Sequence, residues 1–212
     1  MKKTLLILSA IVLFFAGCKK DTLFEGGEVL YSGSINGYKY IDLGLPSGLK
    51  WATCNVGASS PEDYGDYYAW GETETKSEYT SGNCSTYGVQ MNDISGNAQY
   101  DVARKKWGGS WRMPTKTEIE ELIDNCNWIW TAQGGKKGHK VTGPNGNSIF
   151  LPAAGTRRGS SLYRAGEYGI YWSSSPYESN SDYAYYLYFN SSYQYAYWIG
   201  RSNGQSVRPV SE

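Results

Sequence analysis

Hydrophobic and polar residues alternate most regularly in the last quarter of the chain. The pattern predicts two antiparallel strands joined by a turn at residues 190–192. In the first strand, Leu187 and Phe189 fall on one face, and Tyr186 and Tyr188 fall on the other. We therefore expect one face of this strand pair to lie on the core and the other to carry tyrosines.

Tyrosine dominates this predicted strand pair and its surroundings. Eleven of the twenty tyrosines lie between residues 161 and 200, together with only four charged residues. Tyrosine is common in strands, but a large exposed aromatic set on a soluble domain marks an interaction site, and tyrosine gives stiff contact area at low entropic cost. The predicted ligand-binding residues are Tyr163, Tyr168, Ile170, Tyr177, Tyr183, Tyr186, Tyr188, Tyr193, Tyr195, Tyr197 and Ile199.

Two helices are predicted in the middle of the chain. The first covers residues 98–107, with Asn97 as its N-cap and glycines after it. The second begins after Thr115, because Thr115 and Glu118 have the spacing of a capping box. Its apolar face, at helical spacing, is predicted to be core and consists of Ile119, Leu122, Ile123 and Cys126.

Short strands are predicted on both sides of these helices. They cover residues 29–31, 38–43, 49–54, 128–130, 140–142, 148–151 and 206–210. The segment 58–96 has the composition of a long loop, which carries function or covers the surface. Its carboxylates Glu72, Glu74 and Glu78 are interpreted as a solvated acidic stretch rather than as a site.

The first residues have the composition of a targeting segment. Two lysines follow the initiator Met1, an apolar stretch covers residues 5–15, and small residues precede Cys18. This pattern resembles a bacterial lipoprotein signal, so we predict a signal peptide at residues 1–17 and lipidation of Cys18. Residues 18–37 are predicted to be a tether and residues 38–210 the ligand-binding domain. The predicted location is the outer membrane, with the domain facing either the periplasm or the outside.

The charge balance excludes a basic nucleic-acid surface. The chain has 20 basic and 20 acidic residues, and removal of Lys2 and Lys3 leaves 18 against 20, a net side-chain charge of about −2. We therefore predict no nucleic-acid partner. The predicted membrane attachment is through the lipid on Cys18.

No residue pattern in the sequence indicates catalysis, a metal or a cofactor. His139 lies in a basic, glycine-rich stretch predicted as the polar turn 133–140, so it is interpreted as a solvated loop residue. No catalytic triad, zinc spacing or phosphate loop is visible, and the protein is predicted not to be an enzyme. Cys54, Cys84 and Cys126 leave at least one thiol unpaired within the chain, and Cys54 and Cys126 are interpreted as buried thiols.

Several motifs together resemble a known bacterial family. The segments are Tyr40–Gly48, Trp51–Gly57, Gly108–Thr115, Ser148–Gly155, Tyr171–Ser174 and Ser206–Val210. They are similar to the Fibrobacter succinogenes major paralogous domain, which is common among outer-membrane lipoproteins of Bacteroides-type bacteria. The resemblance implies an α+β, C-type-lectin-like mixed fold with two helices, short antiparallel strands and long loops, related to formylglycine-generating enzymes.

The activities known for that superfamily are not carried over to this chain. Formylglycine-generating enzymes use cysteines close to the C-terminus, and here no cysteine follows Cys126. Calcium-dependent sugar lectins use a Trp-Asn-Asp triplet that does not occur here. The resemblance therefore adds no catalytic, metal-binding or cofactor-binding residue.

The resemblance also raises the possibility of sequence diversification. Some proteins of this fold are targets of diversity-generating retroelements, in which adenine mutagenesis varies a C-terminal ligand-binding face. Tyr, Ser, Asp, Ile and Asn, which dominate the segment here, are all reachable from an Asn codon by adenine changes. Trp198 departs from this pattern, because an Asn codon cannot become a Trp codon in this way.

We therefore expect an envelope lipoprotein that binds a glycan or a protein on another surface through its tyrosine-rich C-terminal face. The alternative is a structural or assembly subunit, fimbrial or part of an envelope complex, that uses the same face as a permanent interface. An enzyme that uses acidic residues is the third and weakest hypothesis.

Overall fold

A computed structural model describes residues 31–212, which contain twelve strands and two α-helices. The described elements are β1 (Gly33–Ile35), β2 (Tyr38–Asp42), β3 (Lys50–Ala52), α1 (Val102–Trp107), α2 (Lys116–Asn125), β4 (Asn127–Gln133), β5 (Lys136–Thr142), β6 (Ser148–Pro152), β7 (Thr156–Arg158), β8 (Ser161–Tyr163), β9 (Gly169–Pro176), β10 (Tyr183–Phe189), β11 (Gln194–Gly200) and β12 (Val210–Ser211). The predicted α+β class is confirmed, with antiparallel strands as the main component.

The strands form four antiparallel sheets. Their orders are β1-β2-β3-β12, β11-β10-β9, β4-β5-β6 and β7-β8. The last strand of the chain returns to the first sheet, where Val210 pairs with Trp51. The final strand therefore begins at Val210, four residues later than predicted, and it closes the domain by joining the two ends of the described chain.

Helix α2 begins as its capping signals predict. The Thr115 hydroxyl accepts a hydrogen bond from the Glu118 amide at 3.3 Å, and the Glu118 carboxylate accepts one from the Thr115 amide at 2.8 Å. Burial alone would raise the pKa of Glu118, but Arg112 donates two hydrogen bonds to the same carboxylate, at 2.8 and 2.6 Å. Together with the Thr115 amide, Arg112 holds the pKa of Glu118 below its usual value. Ile119 and Leu122 are fully buried, so the apolar face of this helix lies on the core as predicted.

Helix α1 begins later than predicted, at Val102 rather than at residue 98. Its N-cap is Asp101, whose buried carboxylate accepts hydrogen bonds from the Gly96, Arg104 and Met113 amides. These bonds tie the preceding turn to the helix start. The residues before Asp101 are therefore held in turns and do not join the helix.

The predicted tether also ends earlier than expected. Residues 33–35 form β1, which pairs with β2 through a turn in which Asn36 and Gly37 have positive φ angles. The predicted signal peptide, Cys18 and most of the strand predicted at residues 29–31 lie outside the described residues, and Tyr31 is not in a strand. Within residues 31–212, no helix has both the length and the apolar character needed to cross a membrane.

The long loop between β3 and α1 contributes a buried segment to the core, although most of its residues are exposed or half-buried. Tyr68 and Trp70 are each at most 2% exposed and belong to a core cluster that includes Trp172. The loop's acidic stretch is also more ordered than predicted, since Glu72 bonds to the Ser85 amide and pairs with Lys76 at 2.6 Å. Glu72 is therefore a structural carboxylate rather than a solvated one.

The cysteines of the described chain carry free thiols. Cys84 is buried, whereas Cys54 and Cys126 are only half-buried, so the prediction that the latter two are buried is wrong in degree. Burial, with Glu121 nearby, raises the pKa of the Cys126 thiol to about 11. This thiol is therefore protonated and unreactive at neutral pH.

His139 is a core residue, contrary to the prediction of a solvated turn. It lies in β5 at 4% exposure, and the turn before this strand consists only of the two glycines at 134 and 135. The rings of Trp128, Trp130 and Phe189 surround it with centroids 5.2–5.4 Å away. Its Nε2 lies 2.7 Å from the carbonyl oxygen of Asn190, to which it donates a hydrogen bond as the neutral Nε2–H tautomer.

The buried His139 makes stability depend on pH. Burial lowers the pKa of His139 in the folded state. In the unfolded chain the same imidazole is protonated with the usual pKa near 6.5. Stability is thus full above pH 6.5 and falls as the pH drops below it, by at most about 1.4 kcal/mol per pH unit. Denaturant unfolding between pH 7.5 and 5 is expected to show a shallower loss for His139→Phe than for the wild type. Equal slopes would contradict this account of His139.

Candidate ligand-binding face

The sheet β9-β10-β11 has one covered face and one tyrosine-bearing face. Leu187, Phe189 and Ala196 lie on the covered face and pack against a core cluster that includes helix α2 residues. On the other face, Tyr186 is the cross-strand neighbour of Tyr197, and Tyr188 is the neighbour of Tyr195. The alternation in the sequence therefore places the tyrosines of β10 and β11 on a common face.

Five tyrosine rings on this face form a contiguous row, which we call the tyrosine ladder. Its members are Tyr168, Tyr188, Tyr193, Tyr195 and Tyr197. The Tyr188 and Tyr195 rings are 4.8 Å apart at 21°, and the Tyr193 and Tyr195 rings are 5.9 Å apart at 18°. Tyr193, Tyr195 and Tyr197 are 53%, 39% and 48% exposed, so the ladder is open to solvent on its β11 side.

The stacking determines which part of each ring a ligand meets. Nearly parallel rings at these distances lie in offset stacks, in which ring faces turn toward each other. The hydroxyl groups of Tyr193, Tyr195 and Tyr197 make no hydrogen bond to any residue between 31 and 212 and are not buried. Tyr193 and Tyr195 therefore present ring edges to a partner, whereas Tyr197 meets Tyr195 edge-on at 6.0 Å and 88°. All three residues offer free phenol hydroxyls.

A second aromatic group continues the ladder around Trp198. The indole stacks on Tyr197 at 4.9 Å and on Tyr177 at 5.0 Å, and Tyr183 meets it edge-on at 5.1 Å. Tyr185 contacts Tyr177 at 5.7 Å. Trp198 and Tyr185 were not among the predicted site residues, because strand alternation groups them with Leu187 and Ala196 and not with the ladder tyrosines. Only the ring contacts of the structure join Trp198 to the ladder.

Three of the predicted residues serve the core more than the surface. Ile170 and Tyr186 are only 4% and 7% exposed and belong to the core cluster around Trp172, so their assignment to the ligand-binding face is corrected. Ile199 is half-buried and packs against the same cluster. Strand alternation shows which face a residue is on, but it does not show how much of that face other parts of the chain cover.

Tyr163 is exposed but stands apart from the ladder. It lies at the end of β8 and is 49% exposed. Within the described part of the chain its ring makes no aromatic contact with the ladder, whereas Tyr177 and Tyr183 are joined to it through Trp198. The structure therefore gathers seven of the eleven predicted residues into one partly open group, namely Tyr168, Tyr177, Tyr183, Tyr188, Tyr193, Tyr195 and Tyr197.

The ladder is electrically neutral at physiological pH. Burial raises the pKa of Tyr188 to about 12 and also raises the pKa of Tyr195, with neighbouring tyrosines as a second cause for Tyr195. At its rim, Arg164 lies over the Tyr168 ring and pairs with Glu167 at 2.9 Å. The face therefore offers apolar contact and neutral hydrogen bonds rather than a charged site.

A separate, shallow depression of about 270 Å³ lies away from the predicted residues. Asp66, Lys76, Tyr79 and Arg157 are among the residues that line it, and Lys76 is already paired with Glu72. Between residues 31 and 212, no group of three or more His, Cys, Asp or Glu side chains is arranged to hold a metal ion.

The comparisons with known proteins identify the family. No curated protein matches the chain, and no solved structure matches it. The family model for the Lcl C-terminal domain matches residues 45–211, which covers the tyrosine ladder, both helices and most of the described strands. Because this match spans well over half of the sequence, the chain belongs to the Lcl C-terminal domain family.

Proposed function

We propose that this protein binds a ligand on another surface, a glycan or a protein, through the open part of the tyrosine ladder. The observation that carries the proposal is the row formed by Tyr193, Tyr195 and Tyr197, which are 39–53% exposed and have unpaired hydroxyls. Stacking within the ladder holds these rings in place, so little side-chain entropy is lost when a partner docks. The Lcl C-terminal domain family indicates a surface-exposed domain, which fits this role.

The chemistry of the face defines the kind of contact. Ring edges and hydroxyls supply apolar area together with directional hydrogen bonds, as tyrosines do in antibody paratopes. Because the ladder is neutral, binding is expected to depend little on salt. The face offers no nucleophile or general base with a matching partner, so we propose a binding protein rather than an enzyme.

The proposal also covers the membrane anchor, the fold type and the alternative function. We propose that Cys18 is lipidated, that the protein is anchored to the outer membrane, and that the fold is C-type-lectin-like. We propose that retroelement diversification of the face is tolerated more readily at the exposed ladder positions than at Ile170 and Tyr186, which pack in the core. The alternative function, a structural or assembly subunit, uses the same ladder as a permanent interface.

The proposal is tested by screening the full chain against a glycan array and against a library of displayed bacterial and host surface proteins. Tyr193→Ser, Tyr195→Ser and Tyr197→Ser are combined in one variant, and Tyr31→Ser is the matched control, because Tyr31 is similarly exposed at 47%. We expect the wild type and the Tyr31 control to bind the same array members and the triple variant to bind none of them. Binding that survives in a folded triple variant would contradict the proposal, and a constitutive partner that co-purifies through the ladder would support the alternative.

A further inference from the structure

Strand β11 is an open edge of its sheet. Among the described residues it pairs only with β10, and every residue from Gln194 to Gly200 is exposed or half-buried. Strand β9 forms the opposite edge of the same sheet, where its Trp172 amide bonds to the Ser206 carbonyl. Only the β11 edge of this sheet is therefore available along its whole length to another strand.

The hydrogen bonds at both ends of the hairpin show which backbone groups face outward. The Asn190 amide donates to the Tyr193 carbonyl at 3.0 Å, and the Arg201 amide donates to the Asp182 carbonyl at 2.8 Å. In an antiparallel pair the hydrogen-bonded positions recur at every second residue, so the odd-numbered positions of β11 bond to β10. The amides and carbonyls of Gln194, Ala196 and Trp198 therefore point away from the sheet.

This edge lacks the features with which soluble proteins protect open strands. Such edges usually carry a lysine, a proline or a bulge that prevents pairing with another chain. The seven residues QYAYWIG contain no charged residue and no proline, and the β10–β11 register runs without interruption. An uncharged, regular, aromatic edge is a ready template for a further strand.

We propose that β11 pairs with β11 of a second copy of this chain, antiparallel and with Tyr197 on the two-fold axis. Tyr197 is the midpoint of Gln194–Gly200, so this register uses the whole strand. It places Ala196 opposite Trp198 of the second copy, a small side chain beside a large one, and it brings no like charges together. The self-complementary sequence favours a second copy over an unrelated strand.

The pairing extends the proposed function but does not rest on it. Two three-stranded sheets would become one six-stranded sheet, with Tyr195 and Tyr197 of both copies on the same face. The tyrosine ladder would remain open and would double in length. A ligand with repeated epitopes would then meet two linked sites, which raises the avidity without any new contact.

Disulfide trapping of the full chain tests the register. On the proposed axis the two Tyr197 positions form a non-hydrogen-bonded pair with Cα atoms about 4.5 Å apart, which is within disulfide range. Tyr197→Cys is therefore expected to give a disulfide-linked dimer under mild oxidation, above the wild-type background from the native thiols. Tyr193→Cys is the matched control, since Tyr193 is equally exposed but would lie about 26 Å from its counterpart. Equal crosslinking at both positions, or none at Tyr197→Cys, would overturn the proposal.

A second variant separates pairing from folding. Ala196→Pro removes an amide that points outward and leaves the hydrogen bonds to β10 intact, as edge prolines do. Sedimentation equilibrium is expected to show a wild-type dimer and an Ala196→Pro monomer, with thermal unfolding still cooperative in both. A wild type that stays monomeric at high micromolar concentration would overturn the proposal, also where the reason is that residues 1–30 or another protein occupy the edge. A folded Ala196→Pro variant that still dimerises would overturn it as well.

Discussion

Replacing Arg208 with methionine is expected to lower the free energy of unfolding by about 4 kcal/mol, because several buried acceptors lose their donor together. Arg208 is 1% exposed and donates to the Asn55 side chain and to the carbonyls of Ala52, Thr53 and Phe150, at 2.8–3.0 Å. Among the described residues no carboxylate pairs with it, so these four acceptors carry its whole hydrogen bonding. The substitution keeps the volume and removes the donors.

The matched control for this prediction is Arg164→Met. Arg164 is exposed, and solvent screens its ion pair with Glu167, so its loss should change the free energy of unfolding little. Urea unfolding of both variants measures the difference. A loss below about 1 kcal/mol for Arg208→Met would mean that water or local rearrangement replaces the guanidinium, and would contradict the role assigned to it.

Replacing Tyr186 with alanine is expected to cost about 3 kcal/mol of stability, whereas Tyr197→Ala costs about 1 kcal/mol or less. The two residues are cross-strand neighbours on the same face, so they share strand type and register. They differ in depth, because Tyr186 is 7% exposed within the Trp172 cluster and Tyr197 is 48% exposed. The contrast isolates burial from strand propensity.

Thermal and urea unfolding of the two single variants check this contrast. The prediction concerns ligand binding as well, because only a ring that can be removed without unfolding the domain can be assigned to a binding face. Similar losses for both variants would show that the exposed ladder is part of the core packing. The ladder would then be a structural feature of the sheet and not a binding face.

Local signals in the sequence predicted the elements whose stability is local. The capping box at Thr115 and Glu118 and the apolar face after it define α2 by contacts within four residues. The turn at residues 143–147 and the alternation in β10 and β11 are equally short-range. These elements were placed correctly because their defining hydrogen bonds and contacts lie close together in the chain.

Burial that arises from distant segments was not predictable in the same way. His139 sits in a run of lysines and glycines, and only the packing of β5 against Phe189 of β10 makes it a core residue. Arg201 and Arg208 are fully buried by contacts more than 100 residues away in sequence, with Thr86 and Asn55 respectively. The sequence around an arginine does not show that backbone carbonyl groups from distant segments will surround its guanidinium group.

The candidate face shows both a feature that local sequence predicted and a burial that it could not predict. Alternation predicted correctly that Tyr186, Tyr188, Tyr195 and Tyr197 share one face of the sheet. It could not predict that Tyr186 would be buried in the core cluster that also contains Trp70 and Trp172, while Tyr195 and Tyr197 stay open. The burial of Tyr186 involves residues distant in the sequence, among them Tyr68 and Trp70, in an irregular segment that has no periodicity from which its position could be inferred.

The central claim is that the open ladder, and not another surface, contacts the ligand. The most direct test is the dissociation constant of the strongest binder from the array, measured for the wild type and for the Tyr193, Tyr195 and Tyr197 triple serine variant. We predict a loss of affinity of at least about 100-fold, or about 2.7 kcal/mol, with cooperative unfolding retained. An unchanged dissociation constant in the folded triple variant would contradict the account and place the site elsewhere on the domain.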